Sequence, residues 1–336
     1  MPASYQPTLA DMKTPSFWYR KKGMRARVLS PIGQLYRAAG LVRRANATPY
    51  KASVPVICIG NIVAGGAGKT PTALALAKLL IKEGQHPVFV SRGYGGNEKG
   101  PLRVDEAKHS ARDVGDEALL LSRAAPCWIA RSRAEAIREA EKEASIIILD
   151  DGLQNPKVAA DMNLLVIDGG AGLGNQCLIP AGPLRETMDD ALSRITAIIM
   201  IGEDRFRCAQ DLGKPVLQAA LKPTLPSNLV ANTKVLAFAG IGRPQKLYDS
   251  CRQAGLTILD TQDFPDHYMF SADDLADLKA RADDQGLQLV TTSKDFVRLP
   301  SDFLAFVAVL DITLVFESPE TIKERLLNPL LDQKQT

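Results

Sequence analysis

An α/β fold, with a parallel sheet flanked by helices and a smaller α/β unit after it, follows from three features of the 336-residue sequence. Short apolar, β-branched runs alternate with helical patterns through the first two thirds of the chain. One junction carries "NIVAGGAGKTPTALALAKLL" (61–80), the pattern of a P-loop nucleotide-binding core. The alternation then resumes after a proline-bearing gap. On this basis the chain divides into a basic N-terminal segment (1–50), a P-loop core (51–222), a smaller α/β unit (232–316) that closes a cleft, and a C-terminal helix (317–336).

The elements justify the class one by one. "VPVICIG" reads as a buried strand, and Leu74, Leu76, Leu79 and Leu80 among alanines read as the helix after the glycine loop. Pro71 falls in that helix's first turn, where its missing N–H costs nothing. "HPVFVSRGYGG" is a strand ending in a glycine loop, "DVGDEALLLSRAA" a helix with acids in its first turn, "CWIA" a short strand, and "RSRAEAIREAEKEA" a surface helix. "SIIILDDGLQN", "NLLVIDGG" and "TAIIMIG" are further buried strands. Such alternation requires parallel strands joined by crossovers. Residues 214–232, with three prolines and no periodicity, read as a linker. "KVLAFAGIG", "TILDTQDFPDHY", "LQLVTTSKDFVRL" and "FLAFVAVLDITLVF", with helices through "PQKLYDSCRQAG" and "SADDLADLKARADDQG", make the second unit, and the amphipathic tail docks as a helix.

Chemistry concentrates where the strands end. In a strand–glycine loop–helix junction, backbone N–H groups turn inward on an anion and the helix N-terminus adds partial positive charge. Gly65, Gly66, Ala67, Gly68, Lys69, Thr70 and Pro71 therefore line a nucleotide phosphate site. Lys69 reaches the β/γ-phosphates of ATP and the Thr70 hydroxyl ligates Mg²⁺. The usual first glycine of the motif is Val63 here, so Gly65 and Gly66 must supply the flexibility. "SIIILDD" delivers Asp150 and Asp151 to a strand end beside the loop, where carboxylates hold Mg²⁺ directly or through water. "SRGYGG" offers Arg92 and Tyr94 to an anionic or sugar substrate, "VGDE" puts Asp116 at a helix start, and "LIPAGPLRE" puts Arg185 and Glu186 after a turn. Each also has a plain reading, Asp116 as a helix cap and the others as solvated loop charges. All follow strands of a parallel sheet, though, and ligands bind outside the carboxyl ends of such strands.

Composition limits the function classes. The chain has 46% hydrophobic and 24% charged residues, as soluble globular proteins do. No run of eighteen apolar residues predicts a membrane span, and no apolar leader core predicts export. Five cysteines without a C-x-x-C pair argue against a disulfide frame or a zinc site. The net charge of +3 is uneven: residues 11–51 carry ten Lys/Arg and one acid, hence +9, leaving −6 elsewhere. There Phe17, Trp18, Tyr19, Leu29, Ile32, Leu35, Tyr36, Leu41 and Val42 interleave with arginines, and Ser30-Pro31 looks like a helix start. Three readings stand: an interfacial helix on an anionic lipid surface, a basic helix packed on the core, and a nucleic-acid arm. The aromatics favour lipid, so no nucleic-acid partner is expected. For oligomeric state, monomer is the working expectation.

Taken together, "GNIVAGGAGKTP", "SRGYGG", "VGDE", "DDGLQ", "LIPAGPLRE", "FAGIG.P", "FPDH" and "TTSKD", from about residue 55 to 295, resemble the tetraacyldisaccharide 4′-kinases, the lipid A 4′-kinase family. The resemblance implies ATP- and Mg²⁺-dependent phosphorylation of the 4′-hydroxyl of an acylated glucosamine disaccharide 1-phosphate. It also implies a monotopic enzyme on the cytoplasmic face of the inner membrane. Carried onto this sequence, it makes Lys69 and Thr70 phosphate and metal ligands, Asp116 the base supported by His267, and Asp150, Asp151 and Glu186 the metal and transition-state shell. Arg92, Tyr94, Glu117, Gln154, Asn155 and Arg185 fall to the substrate. Two family histidines are replaced, by Asn155 in "DDGLQN" and Tyr268 in "FPDHY". The alternative from another class is a membrane-docking P-loop ATPase switch without a small-molecule acceptor. A soluble small-molecule kinase is a weaker third.

Overall fold

The computed structural model describes residues 15–332; residues 1–14 of the basic segment and 333–336 of the C-terminal helix lie outside the described residues. The chain forms two compact units. The larger comprises Ser16–Leu221 and the stretch from Thr313 onward, and the smaller comprises Lys222–Ile312.

In the larger unit, strands run side by side in the order Val216–Thr224, Ala197–Ile201, Met162–Asp168, Val56–Gly60, Ile146–Asp150, Pro87–Ser91, Cys127–Ile129 and Leu102–Arg103. All neighbours pair parallel except the last, a two-residue antiparallel edge. The central strands are buried residue after residue, which explains their unbroken apolar runs: helices cover both faces, so neither face selects polar residues. Val56–Gly60 lies between Met162–Asp168 and Ile146–Asp150, with Ile59 opposite Asp150. The P-loop and the Asp150–Asp151 pair therefore leave neighbouring strands at the same sheet edge.

Two expectations need correcting. The stretch read as a linker holds a nine-residue strand, Val216–Thr224, in register with Ala197–Ile201. Its prolines hid it: Pro223 falls near the strand's end, beyond the last pair the strand registers with Ala197–Ile201, Ala219 with Ile201. The N-terminal helix begins not at Ser30-Pro31 but at Met24, running to Ala45 with Pro31 inside it.

The smaller unit orders Thr257–Asp263, Lys234–Ala239, Gln288–Thr292 and Val307–Phe316, all parallel. Lys234–Ala239 shows how a strand serves two cores. Val235, Ala237 and Ala239 pack with Leu247, Tyr248 and Cys251 of helix Gln245–Gln253. The alternate residues Leu236 and Phe238 pack with Leu275, Leu278 and Ala282 of helix Ala272–Gln285. Among the described residues, no helix is long and apolar enough to cross a membrane.

Candidate active site

The glycine loop has the form its sequence asks for. Gly68 caps helix Lys69–Lys82 at φ 92°, and Gly65 sits at φ 112°, conformations that favour glycine. Nothing lies within 4 Å of where a Cβ would stand on Gly65 or Gly66. That open backbone fits an anion held by N–H groups, so the residues present suit a bound nucleotide phosphate. Val63 at the missing-glycine position is also accounted for. It forms an antiparallel bridge with Leu184, Ala64 N–H donates to Pro183 O at 2.8 Å, and Arg185 N–H donates to Ile62 O at 2.7 Å. The loop's first residues are thus extended backbone, pinned to the "LIPAGPLRE" segment, and that conformation suits a β-branched residue.

Charges converge beside this loop. Asp150 ends its strand 2% exposed. Asp151 follows at φ 50°, breaking the strand's alternation at its end. The Asp151 carboxylate lies 3.6 Å from Lys69 Nζ and accepts from Arg185 Nη1 at 3.1 and 3.0 Å, while its carbonyl accepts from Arg133 Nη2 at 2.7 Å. Burial pushes the Asp151 acid upward, but Lys69, Arg185 and Arg133 outweigh it and hold its pKa below the ordinary value. Burial in turn depresses the Arg133 guanidinium, against the pull of Asp151. Lys69 Nζ also donates to Asn61 Oδ1 at 3.4 Å. The arrangement concentrates cations where a polyphosphate would lie, with carboxylates available to a divalent ion and Thr70 buried in the first helical turn.

The tetraacyldisaccharide-1-P 4′-kinase family model matches residues 25–331. The chain belongs to that family. It is 48% identical to the tetraacyldisaccharide 4′-kinase of Parvibaculum lavamentivorans over 298 residues, 86% of this chain and 87% of the relative. With that of Methylobacterium nodulans it is 49% identical over 318 residues, 92% and 93% of the two chains. The crystal structure of the Aquifex aeolicus "apo" form LpxK in complex with ATP superposes with a TM-score of 0.74 at 26% identity, covering 92% of this chain and 100% of that one. The resemblance read from the motifs is therefore borne out, as are the α/β P-loop fold and the assignment as a kinase.

Other family motifs fall at the same sheet edge for reasons the sequence did not disclose. Asp116 begins helix Asp116–Ser122, 3% exposed, with Oδ1 accepting from Glu117 N–H at 2.8 Å. Its loop packs back to back with "SRGYGG". A Cβ on Gly96 would lie 2.6 Å from Asp113 O, and one on Gly115 would collide with Tyr94 O. These glycines serve close backbone approach, and they fix Asp116 beside a loop whose Arg92 and Tyr94 are exposed. Arg92 is near enough for Arg133 to feel its charge. Gln154 Nε2 donates to Asn61 O and to Glu186 Oε1, both at 2.9 Å. Asn155 accepts from Lys157 N–H at 3.1 Å, closing a local turn.

Glu186, expected in the metal shell, is 6% exposed and committed elsewhere: Oε2 accepts from Arg44 at 3.1 Å and Arg194 at 2.6 Å, and Oε1 from Gln154. Among the described residues, no group of three or more His, Cys, Asp or Glu is arranged to hold a metal. Arg44, Arg133 and Arg194 were missed in the sequence. Arg133 carried one usable signal, since it follows strand Cys127–Ile129 at the ligand edge.

The basic helix Met24–Ala45 has two faces. Ala26 and Gly33 are buried, and a Cβ on Gly33 would meet Leu178 Cβ at 3.0 Å. Arg37 makes a forked pair with Asp190 at 2.6 and 2.8 Å, driving the Asp190 pKa down to about 2. On the other face Met24, Val28, Leu35 and Val42 are 61–75% exposed. Trp18, expected among the interfacial aromatics, instead docks: its indole N–H donates to Pro180 O at 3.1 Å.

His267 belongs to the smaller unit. It sits in the "FPDH" turn at φ 59°, with its N–H donating to Gly240 O at 3.1 Å and Nε2 3.9 Å from Asp266 Oδ1.

Proposed function

We propose that the chain transfers the γ-phosphoryl group of ATP to the 4′-hydroxyl of an acylated glucosamine disaccharide 1-phosphate, a lipid A precursor, while resting peripherally on the cytoplasmic face of the inner membrane. The observation that carries this is family membership together with the Lys69–Asp151–Arg185 cluster at the mouth of the P-loop. Bound Mg²⁺ would neutralise charge on the transferring phosphoryl group, and Thr70, Asp150 and Asp151 are the residues suited to hold it. Lys69 and Arg185 would leave Asp151 for phosphate oxygens and stabilise the charge that develops there. Asp116 would accept the sugar hydroxyl proton, with His267 orienting or sharing it. Arg92, Tyr94, Glu117 and Gln154 would line the acceptor side.

The exposed stripe Met24, Val28, Leu35 and Val42 supports the surface reading: its spacings of four, seven and seven residues put apolar side chains on one side of a basic helix. Phosphate transfer from ATP to the disaccharide in detergent micelles tests the proposal. Strict dependence of ATP turnover on the acylated sugar is expected. Turnover indifferent to that sugar would favour the ATPase switch. Val28→Glu combined with Leu35→Glu should lower binding to anionic vesicles without loss of fold, and unchanged binding would remove the surface role.

A further inference from the structure

"TTSKDFVR" (291–298) builds the most deeply buried ion pair of the smaller unit. Asp295 and Arg298 have side chains 0% and 2% exposed and lie 3.3 Å apart. A buried pair is costly unless its remaining donors and acceptors are satisfied. Here they are satisfied mostly by backbone groups around Gly240 and by the pair's own helix, with Arg298 Nε donating to Lys294 O at 3.0 Å. Asp295 Oδ1 accepts from Gly240 N–H at 2.8 Å, and Oδ2 from the Thr292 hydroxyl at 2.6 Å. Arg298 donates to Gly240 O from both terminal nitrogens at 3.2 Å, and to Tyr268 O at 3.1 Å. Gly240 O is also the acceptor for the His267 N–H.

The Gly240 peptide is therefore a hub, gripped on its N–H by Asp295 and on its C=O by Arg298 and by His267 itself. Arg298 reaches past His267 to the carbonyl of the next residue. His267 has the left-handed backbone that side-chain-bearing residues adopt at a cost. Such a conformation persists only where its surroundings impose it. The Phe264–Tyr268 stack, with ring centroids 5.0 Å apart, spans the same turn. The His267 side chain stays 28% exposed, so the turn is fixed while the imidazole remains accessible.

We propose that Asp295 and Arg298 are positioning residues for His267, aiming its imidazole by clamping the Gly240 peptide and the Tyr268 carbonyl. This rests on the reading of His267 as a participant in phosphoryl transfer. Arg298→Lys keeps the charge but loses the fork, so in the full-length protein it should lower kcat about tenfold or more and leave the ATP KM unchanged. With His267→Ala already present, Arg298→Lys should cost almost nothing further, because residues acting as a unit are non-additive. The chain has three histidines, so histidine-labelled NMR reads the turn independently of activity: the His267 resonances should move or broaden while those of His86 and His109 stay.

Multiplying losses, or unmoved His267 resonances in folded Arg298→Lys, would overturn the positioning role alone. Full activity in His267→Ala would instead remove the catalytic reading on which the role depends. Should Arg298→Lys fail to fold, Gly240→Ala provides the second test. It keeps the pair but sets a methyl 3.1 Å from Asp295 Oδ1, 3.2 Å from Pro265 O and 3.3 Å from Arg298 Nη1. The same kinetic and NMR signature is expected of it, and its absence would be equally fatal.

Discussion

The two units use charge in opposite ways. At the P-loop, Lys69, Asp151 and Arg185 pair at 3.6 and 3.0 Å with side chains 12%, 28% and 28% exposed. In the smaller unit, Asp295 and Arg298 pair at 3.3 Å almost out of reach of water. A pair that still reaches solvent can exchange its partners for a ligand. A sealed pair cannot be re-partnered, and removing one member strands the other. Similar residue types thus form a solvent-reached cluster in one unit and a sealed pair in the other, and water access separates them.

The sharpest way to break this comparison is Lys69→Ala. It should nearly abolish phosphoryl transfer, a term typically of several kcal/mol, while thermal unfolding stays near wild type. More than about a tenth of normal kcat in a folded variant would count against the P-loop assignment. Asp116→Ala should cost about 10²–10⁴ in kcat, the range for a positioned base, with the ATP KM scarcely moved. A full-rate enzyme would return Asp116 to the cap its helix-start position also permits. Asp295→Ala should add a loss of stability, of about 3–5 kcal/mol, to any loss of activity, because a buried guanidinium loses its partner. Denaturant unfolding measures it, and a loss below about 1 kcal/mol would mean the pair is not the scaffold described.

The smallest effect is the pH dependence of the Arg37–Asp190 fork. The Asp190 pKa falls from 3.8 to about 2, chiefly through its bond from Arg37. A lowered folded-state pKa contributes stability above the unfolded value, and that stability is lost as pH falls through the folded one. The advantage of wild type over Arg37→Ala should therefore be constant at neutral pH and shrink between 3.8 and about 2. An advantage that persists unchanged across that window would assign it to packing of the arginine stem.

Much of this was legible because burial writes itself into sequence. Strands buried residue after residue, such as Ala197–Ile201, are apolar throughout, and the glycine loop has few alternatives. Val216–Thr224 escaped notice because only Leu217 and Ala219 are buried in it, so no apolar run announces it. The helix start was misread because Pro31, usually a first-turn residue, lies well inside Met24–Ala45. Arg44, Arg133 and Arg194 were invisible for a different reason. An arginine's task depends on what its long side chain reaches across the fold, and no local pattern records that. The spacing of "VGDE" and "SRGYGG" likewise gave the loops but not the backbone contact that makes their glycines necessary.

Helix Met24–Ala45 joins two environments that are otherwise separate. Its outward stripe has an affinity for apolar surroundings, while Arg44 on its inward side holds Glu186, the residue after Arg185. Anything that partitions the stripe into a bilayer therefore exerts work on the segment that contacts the nucleotide loop. Linkage of this kind is reciprocal. To whatever extent a lipid surface taking up the stripe strengthens phosphate binding at the loop, phosphate binding must strengthen attachment to that surface by the same factor. Under such coupling, the time a molecule dwelt on a lipid surface would be set in part by what occupies its phosphate site.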